Sequence, residues 1–403
     1  MISRRRLLQT SAVSAAALAA RGVPAWGANA PGVTATEIKI GQTMPYSGNA
    51  SAYGTIGKAE LAYFKMINEQ GGINGRKINL ISLDDGYSPP KTVELVRRLV
   101  EQEEVALLFQ TLGTPSNSAI HQYCNDEKVP QLFVATGAAK WNDPKGHPWT
   151  MGWQPNYQIE AKIYAKYILA NNPNAKISIL YQNDDFGKDY LIGLKAGLGD
   201  KYERMVVKEA SYESTDPTID SQIVTLQGSG ADTHVTAAIP KYAAQAIRKI
   251  YDIGWKPTHF LTNVAISVGS VLQPAGLEKS QGIISADYRK DTSDPRWKDD
   301  AGYKQWLAFM QKNLPDADLK DNNYPYGMMC AMTMTQVLKQ CGDDLSRENV
   351  MKQAASLKNL EMPMLLPGIT INTSATDFAP IKQMQLQRFD GKSWELFGDV
   401  IGG

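Results

Sequence analysis

The stretch "INEQGGINGRKINLISLDDGYSPPKTVE", residues 67–94, decides the fold. It opens as the end of a helix: Ile56, Ala59, Tyr63, Met66 and Ile67 recur at helical spacing, and Gly71-Gly72 closes the run. Asn74-Gly75 is a tight-turn signal, and "KINLISL" (77–83) after it reads as a strand. Ser88 then stands where a helix cap belongs, with Pro89 at the first helical position and Val93, Val96 and Val100 as the buried stripe. Helix, strand and helix in so short a space are the repeat of a parallel α/β sheet.

Outward from that stretch the alternation continues in both directions. "EIKIGQ" (37–42) precedes it as a strand, joined to the first helix by the glycine-bearing loop "TMPYSGNASAYGTIG" (43–57). After it come "VALLF" (105–109) as a strand, "SNSAIHQYCND" (116–126) as a helix and "PQLFVA" (130–135) as a strand. "GHPWTMGWQPNY" (146–157), dense in Gly, Pro and Trp, interrupts the pattern. It restarts with strands at "KISILY" (176–181), "RMVVKEA" (204–210), "DTHVTAAI" (232–239) and "THFLTN" (258–263). Between them lie helices, one opened by Asp216-Pro217 and one stopped at Gly254. The tail carries helical patterns at 300–313, 324–341 and 346–357, then strand-like "QMQLQRF" and "SWELFG". A tail of this size needs a sheet to pack on, so the chain is expected to pass between lobes more than once. The fold class is α/β: two doubly wound parallel-sheet lobes whose strand ends face each other across a cleft.

Composition agrees with two globular lobes. The chain has 403 residues, 43% of them apolar and 21% charged, with a formal net charge of +1. That balance gives no electrostatic footprint for nucleic acid or an anionic membrane surface. "SRRRLLQ" (3–9) followed by "SAVSAAALAA" (11–20) resembles a twin-arginine export signal, with Arg4 and Arg5 as the pair and residues 1–30 removed. Cleavage falls after Gly27 or after Ala30. No later segment reads as a membrane span, so the mature chain is expected in the periplasm. Cys330 and Cys341 lie on one predicted helix, roughly 16 Å apart at the helical rise, too far for a bridge. Cys124 pairing with either stays open, although buried free thiols are the simpler expectation.

No catalytic constellation emerges. G-x-S-x-G, H-E-x-x-H, C-x-x-C and G-x-G-x-x-G are all absent, and "GTIGKA" lacks the spacing of a phosphate loop. His121, His147, His234 and His259 show no metal spacing, so neither metal nor cofactor is expected. The pairs Asp84-Asp85 and Asp184-Asp185, each just past a strand, read as helix-capping groups rather than acid–base pairs.

Taken together, "MPYSGNASAYG", "INEQGGINGRKINLISLDDGYSPPKTVE" and "QNDDFGKDY", in this order behind an export signal, resemble the branched-chain amino-acid-type (Leu/Ile/Val-binding) solute receptors of ABC importers. The resemblance spans about residues 36–400. It implies the type I periplasmic binding protein fold, with three crossovers and a ligand trapped by hinge closure. Lobe 1 would be 36–155 plus 288–380, and lobe 2 would be 156–287 plus 381–403. By the same resemblance Thr114 in "QTLGTPSNS" holds a ligand carboxylate, and Gly137 and Ala138 in "VATGAAKW" offer backbone contacts. The family's amine-contacting threonine falls on Ala139, and its ammonium-balancing acid falls near Val264. No acid occurs anywhere in "THFLTNVAISVGSV". A buried ammonium without its carboxylate is strongly disfavoured. The implied ligand is therefore an aromatic or apolar acid without an α-amine, walled by Tyr53, Phe186, Trp153 and Tyr326. The implied partners are that small acid and the membrane permease subunits of the importer. A true branched-chain amino-acid binder, an exported sensor for a membrane signalling protein and an exported α/β enzyme are the competing readings. The disulfide usual among relatives is missing, its two positions falling on Tyr87 and Gly113.

Overall fold

The structure is a computed structural model that describes residues 30–402. The expected export signal, residues 1–30, lies outside the described residues except for Ala30. The chain begins β1 (Glu37–Met44), α1 (Gly54–Glu69), β2 (Lys77–Asp84), α2 (Pro89–Glu101), β3 (Leu107–Phe109), α3 (Thr114–Asp126), β4 (Gln131–Val134) and β5 (Thr150–Gly152). These strands form a five-stranded parallel sheet in the order β2-β1-β3-β4-β5. Its central strands are buried on both faces, as helices on either side require.

The second sheet follows through α4 (Tyr157–Asn171), β6 (Ile177–Gln182), α5 (Asp185–Leu198), the one-turn α6 (Tyr202–Met205), β7 (Val206–Tyr212), α7 (Asp220–Gly228), β8 (Thr233–Ala237), α8 (Pro240–Asp252) and β9 (Thr258–Leu261). Two short helices, α9 (Gln273–Ala275) and α10 (Leu277–Ser280), lead into β10 (Ile284–Asp287). The chain then returns to the first sheet, where α11 (Ala301–Asn313) and α12 (Asn323–Cys341) pack on α1, and α13 (Arg347–Ala354) packs on α12. It ends back on the second sheet with β11 (Gln383–Phe389) and β12 (Trp394–Gly402), giving the order β12-β11-β10-β9-β8-β6-β7. β11 runs antiparallel to β10, and β12 antiparallel to β11. The path therefore crosses between sheets three times, after β5, after β10 and after α13.

Four local expectations are corrected. "TMG" (150–152), inside the supposed break, is strand β5, because it pairs with β4 at the sheet edge. "ISAD" (284–287) is strand β10, which the pattern reading passed over for want of alternation. Asp216-Pro217 does not open a helix; α7 starts at Asp220 after an extended turn. Ser88 occupies the N-cap position of α2 but its side chain caps nothing. Asp85 orders that turn instead, accepting from the Tyr87 amide at 2.9 Å and the Thr92 hydroxyl at 2.7 Å. Cys124, Cys330 and Cys341 are all free and buried.

Candidate functional site

The carboxyl ends of the two sheets face each other, and the loops leaving them enclose a cavity of about 490 Å³ of atom-free space, part of it open to solvent. The loop after β1 is the first wall. Asp84 fixes it by accepting from the Tyr46 amide at 3.0 Å and the Ser47 hydroxyl at 2.6 Å. Gly48 has φ +78°, and a β-carbon there would lie 2.8 Å from the Gly86 carbonyl oxygen, so the loop tolerates only glycine. Beyond it Tyr53 lies at the cavity wall, and its hydroxyl donates to the Val264 carbonyl across the cleft at 3.0 Å.

The second wall is the loop from β3 into α3. Gln110 and, in β4, Phe133 both take positive φ, and the Gln110 side-chain amide donates to the Phe133 carbonyl. The kinked ends place Leu112, Gly113, Thr114 and Ala135 on the cavity. Thr114 opens α3, and its hydroxyl shares a 2.5 Å hydrogen bond with that of Thr136. That bond uses one of the two hydroxyl protons and leaves one O–H to donate elsewhere. Gly113 has φ +95°, and a β-carbon on it would stand 2.4 Å from the Tyr87 ring. Tyr87 and Gly113, the expected disulfide positions, are thus in contact here, as an aromatic ring laid on a bare backbone.

The crossover after β10 contributes the charge. Arg289, just past β10, lines the cavity and is 4% exposed. Its Nε donates to Asp287 at 3.0 Å and its Nη2 to the Asn263 carbonyl at 3.2 Å, while the guanidinium lies over the Tyr288 and Tyr326 rings. Burial opposes its charge, but Asp287 outweighs burial and its pKa is raised above the ordinary value. Asp287 itself is pushed up by burial against the pull of Arg289. The direction that governs the site is the first, since a guanidinium does not lose its proton in a protein. Among the described residues the cavity lining contains no Asp or Glu, and Arg289 is its one charged side chain.

Behind the same wall Glu160 is fully buried. It accepts from the Tyr190 hydroxyl at 2.6 Å, the Asn263 amide at 2.7 Å, the Asn263 side-chain NH₂ and the Tyr164 hydroxyl. Burial raises its pKa to about 7, against the pull of these donors.

Of the residues singled out in the sequence, Tyr53, Thr114, Phe186, Val264 and Tyr326 come together on this cavity. Gly137, Ala138, Ala139 and Trp153 do not line it. The Gly137 carbonyl accepts from the Tyr157 amide at 2.8 Å, which puts the Tyr157 ring on the wall in its place. Ala138 is buried, and the Ala139 amide is taken by Asp189 of α5 at 2.7 Å. Trp153 is buried behind the wall, donating to Thr333 at 3.0 Å and meeting the Tyr326 ring edge-on. Sequence reasoning missed Arg289, Asn263, Tyr87 and Tyr157. Arg289 and Asn263 each follow a strand end, which was the available signal.

Contacts at both ends of the cleft hold the lobes together. At one end Asn49 donates to the Ser214 carbonyl at 2.8 Å and accepts from Lys241 at 3.0 Å. At the other, Ala139 bonds Asp189 and Lys140 pairs with Asp185 at 2.9 Å. This is a closed arrangement.

The sequence profile of the periplasmic binding protein family matches residues 37–393. A "Leu/Ile/Val-binding protein homolog 1" of Brucella suis biovar 1 (strain 1330) is 23% identical over 361 residues, which cover 87% of this chain and 89% of the relative. Two solved structures share the fold. A branched-chain amino-acid ABC transporter protein from Thermus thermophilus with bound valine superposes with a TM-score of 0.82 at 14% identity, covering 92% of this chain and 98% of the other. A fatty acid ABC transporter substrate-binding protein from Thermomonospora curvata gives a TM-score of 0.78 at 21% identity, covering 93% and 95%.

Proposed function

The chain belongs to the periplasmic binding protein family, and on that premise we propose that its interlobe cavity holds a small carboxylic acid, aromatic or apolar, that lacks an α-amine. The family is one of extracytoplasmic substrate binding for ABC transport of the branched-chain amino-acid type, not of catalysis. The observation that carries the ligand reading is the charge of the wall: one buried guanidinium, Arg289, and no carboxylate. An α-ammonium would meet a guanidinium and find no carboxylate in the lining, since Asp287 is engaged by Arg289, a cost of several kcal/mol at a desolvated site. A ligand carboxylate completes Arg289 and takes the spare hydroxyl proton of the Thr114–Thr136 pair. Charge-assisted bonds of this kind contribute about 1.5–3 kcal/mol each. Tyr53, Tyr157, Phe186 and Tyr326 surround the rest of the ligand with ring faces.

Glu160 supports the same reading. It is bonded to Asn263 beside Val264, where the resemblance sets an ammonium-balancing acid, but its oxygens are already engaged. The chain segments 36–155 with 288–380 and 156–287 with 381–403 act as the two closing lobes. Export by the twin-arginine route and delivery of the acid to a permease complete the proposal. A thermal-shift screen tests it, with leucine, valine and phenylalanine set against benzoate, 4-hydroxybenzoate, coumarate and short fatty acids. At least one amine-free acid is expected to raise the melting temperature while the amino acids leave it unchanged. Stabilisation by leucine and by no amine-free acid refutes the proposal.

A further inference from the structure

Asn263 is 1% exposed and lines the cavity, yet its side-chain oxygen Oδ1 has no hydrogen-bond partner among the described residues. Its other polar groups are all engaged. The amide N–H and the side-chain NH₂ both donate to Glu160, and the carbonyl accepts from Arg289. Leaving a buried acceptor unmet is costly, so the site is built around a donor that arrives with the ligand. Resting on the acid reading above, we propose that the transported acid carries a hydroxyl besides its carboxylate, and that Asn263 selects it by accepting that hydroxyl's proton.

The orientation of the Asn263 amide is the crux, because a flipped amide would present NH₂ to the ligand and select the opposite chemistry. Glu160 fixes it. The Asn263 NH₂ and the Tyr190 hydroxyl both reach Glu160 Oε2, so that oxygen serves as an acceptor. The other oxygen, Oε1, meets the Tyr164 hydroxyl, which also lies 2.7 Å from the Leu261 carbonyl. Tyr164 has one proton for those two acceptors. When Glu160 is ionised, Tyr164 serves it. When Glu160 is protonated, the proton sits on Oε1 and is given to the Tyr164 oxygen while Tyr164 donates to Leu261, or on Oε2 and is given to the Tyr190 oxygen while Tyr190 donates to Thr262. In every state Oε2 keeps a lone pair for the NH₂ of Asn263, and Oδ1 is the atom left without a partner. Glu160 is thus a positioning residue and Asn263 the one that meets the ligand.

Calorimetric titration of the mature protein tests this with two series, benzoate with its hydroxy- and methoxybenzoates, and hexanoate with its 2- and 6-hydroxy and methoxy derivatives. In a series that binds, one hydroxylated acid is expected to bind about tenfold or more tightly than its parent and its methoxy analogue. Asn263→Leu is expected to erase that advantage while the parent acid still binds. Glu160→Gln puts an NH₂ where Oε2 was, so Asn263 should flip and the preference should pass to the methoxy compound. The second variant carries the test if the first does not fold, and the wild-type selectivity stands without either. A parent acid that binds as well as every hydroxylated form overturns this inference alone, as does an advantage that survives Asn263→Leu. Failure of every acid to bind overturns the acid reading and this inference with it.

Discussion

At the scale of single residues the site depends on what strand ends leave unpaired. Arg289 spends two of its five N–H groups on Asp287 and Asn263 and keeps its charge at the cavity. Thr114 is the first-lobe counterpart, and its hydroxyl bonds that of Thr136 in the neighbouring loop of the same lobe, outside the backbone ladder of the sheet. Thr114→Ala is therefore expected to weaken every acid that binds by about tenfold and to move the melting temperature of the unliganded protein little. Equal affinity in calorimetry would remove Thr114 from the site. Thr114, Tyr53 and Phe186 were legible in the sequence because they stand in motifs. Arg289 was not, since nothing in "DYRKD" distinguishes a cavity arginine from a surface one until β10 is known to end beside it.

At the scale of elements, most helices were legible because their burial is periodic, and the central strands because they are short apolar runs between turn signals. The three tail helices fall within a few residues of the expected spans, and α12 buries most of its length, packing on α1 and α13. What escaped were β5 and β10, whose "TMG" and "ISAD" show neither an apolar run nor a period of two. Strands β8 and β9 carry a further consequence. His234 and His259 are buried side by side, joined through the Thr236 hydroxyl, with Ser178 and Trp255 against His234. Burial holds His259 down to about 3 and His234 well below its ordinary 6.5. Unfolding at acid pH lets each take up a proton that the folded state refuses. Stability from this pair is therefore complete above about 6.5 and is lost as pH falls towards the folded values, by about 1.4 kcal/mol per pH unit for each histidine. Burial raises Glu160 to about 7 and Asp184 and Asp291 to about 6, which gives the opposite slope over the same window. The measurement is thus a difference: denaturant unfolding from pH 4 to 7 for the wild type and His259→Gln. The variant is expected to lose less stability on acidification, and parallel curves would contradict the assignment.

At the scale of the molecule, the three crossings of the chain set the carboxyl ends of the two sheets opposite each other so that their ligand loops share one cavity. Contacts at both ends of the cleft, Asn49 with Ser214 and Lys241 and Ala139 with Asp189, favour the closed form. A ligand shifts that equilibrium only by binding the closed form better than the open one. Here the difference comes from joining the first-lobe hydroxyls to the guanidinium at the crossover, which Asp287 and Asn263 of the second lobe hold. The two-lobe plan was legible because strand and helix patterns restart after residue 157, whereas the cavity wall was not, because closure sets residues far apart in sequence against each other. The central claim is that the wall accepts a carboxylate and refuses an α-ammonium. It is tested most directly by titrating matched pairs that differ in the amine alone, 4-methylpentanoate against leucine and 3-phenylpropanoate against phenylalanine, into the mature protein in a calorimeter. The account expects at least one of the amine-free acids to bind and its amino-acid partner to bind at least about a hundredfold more weakly. Equal or tighter binding of leucine or phenylalanine would contradict it.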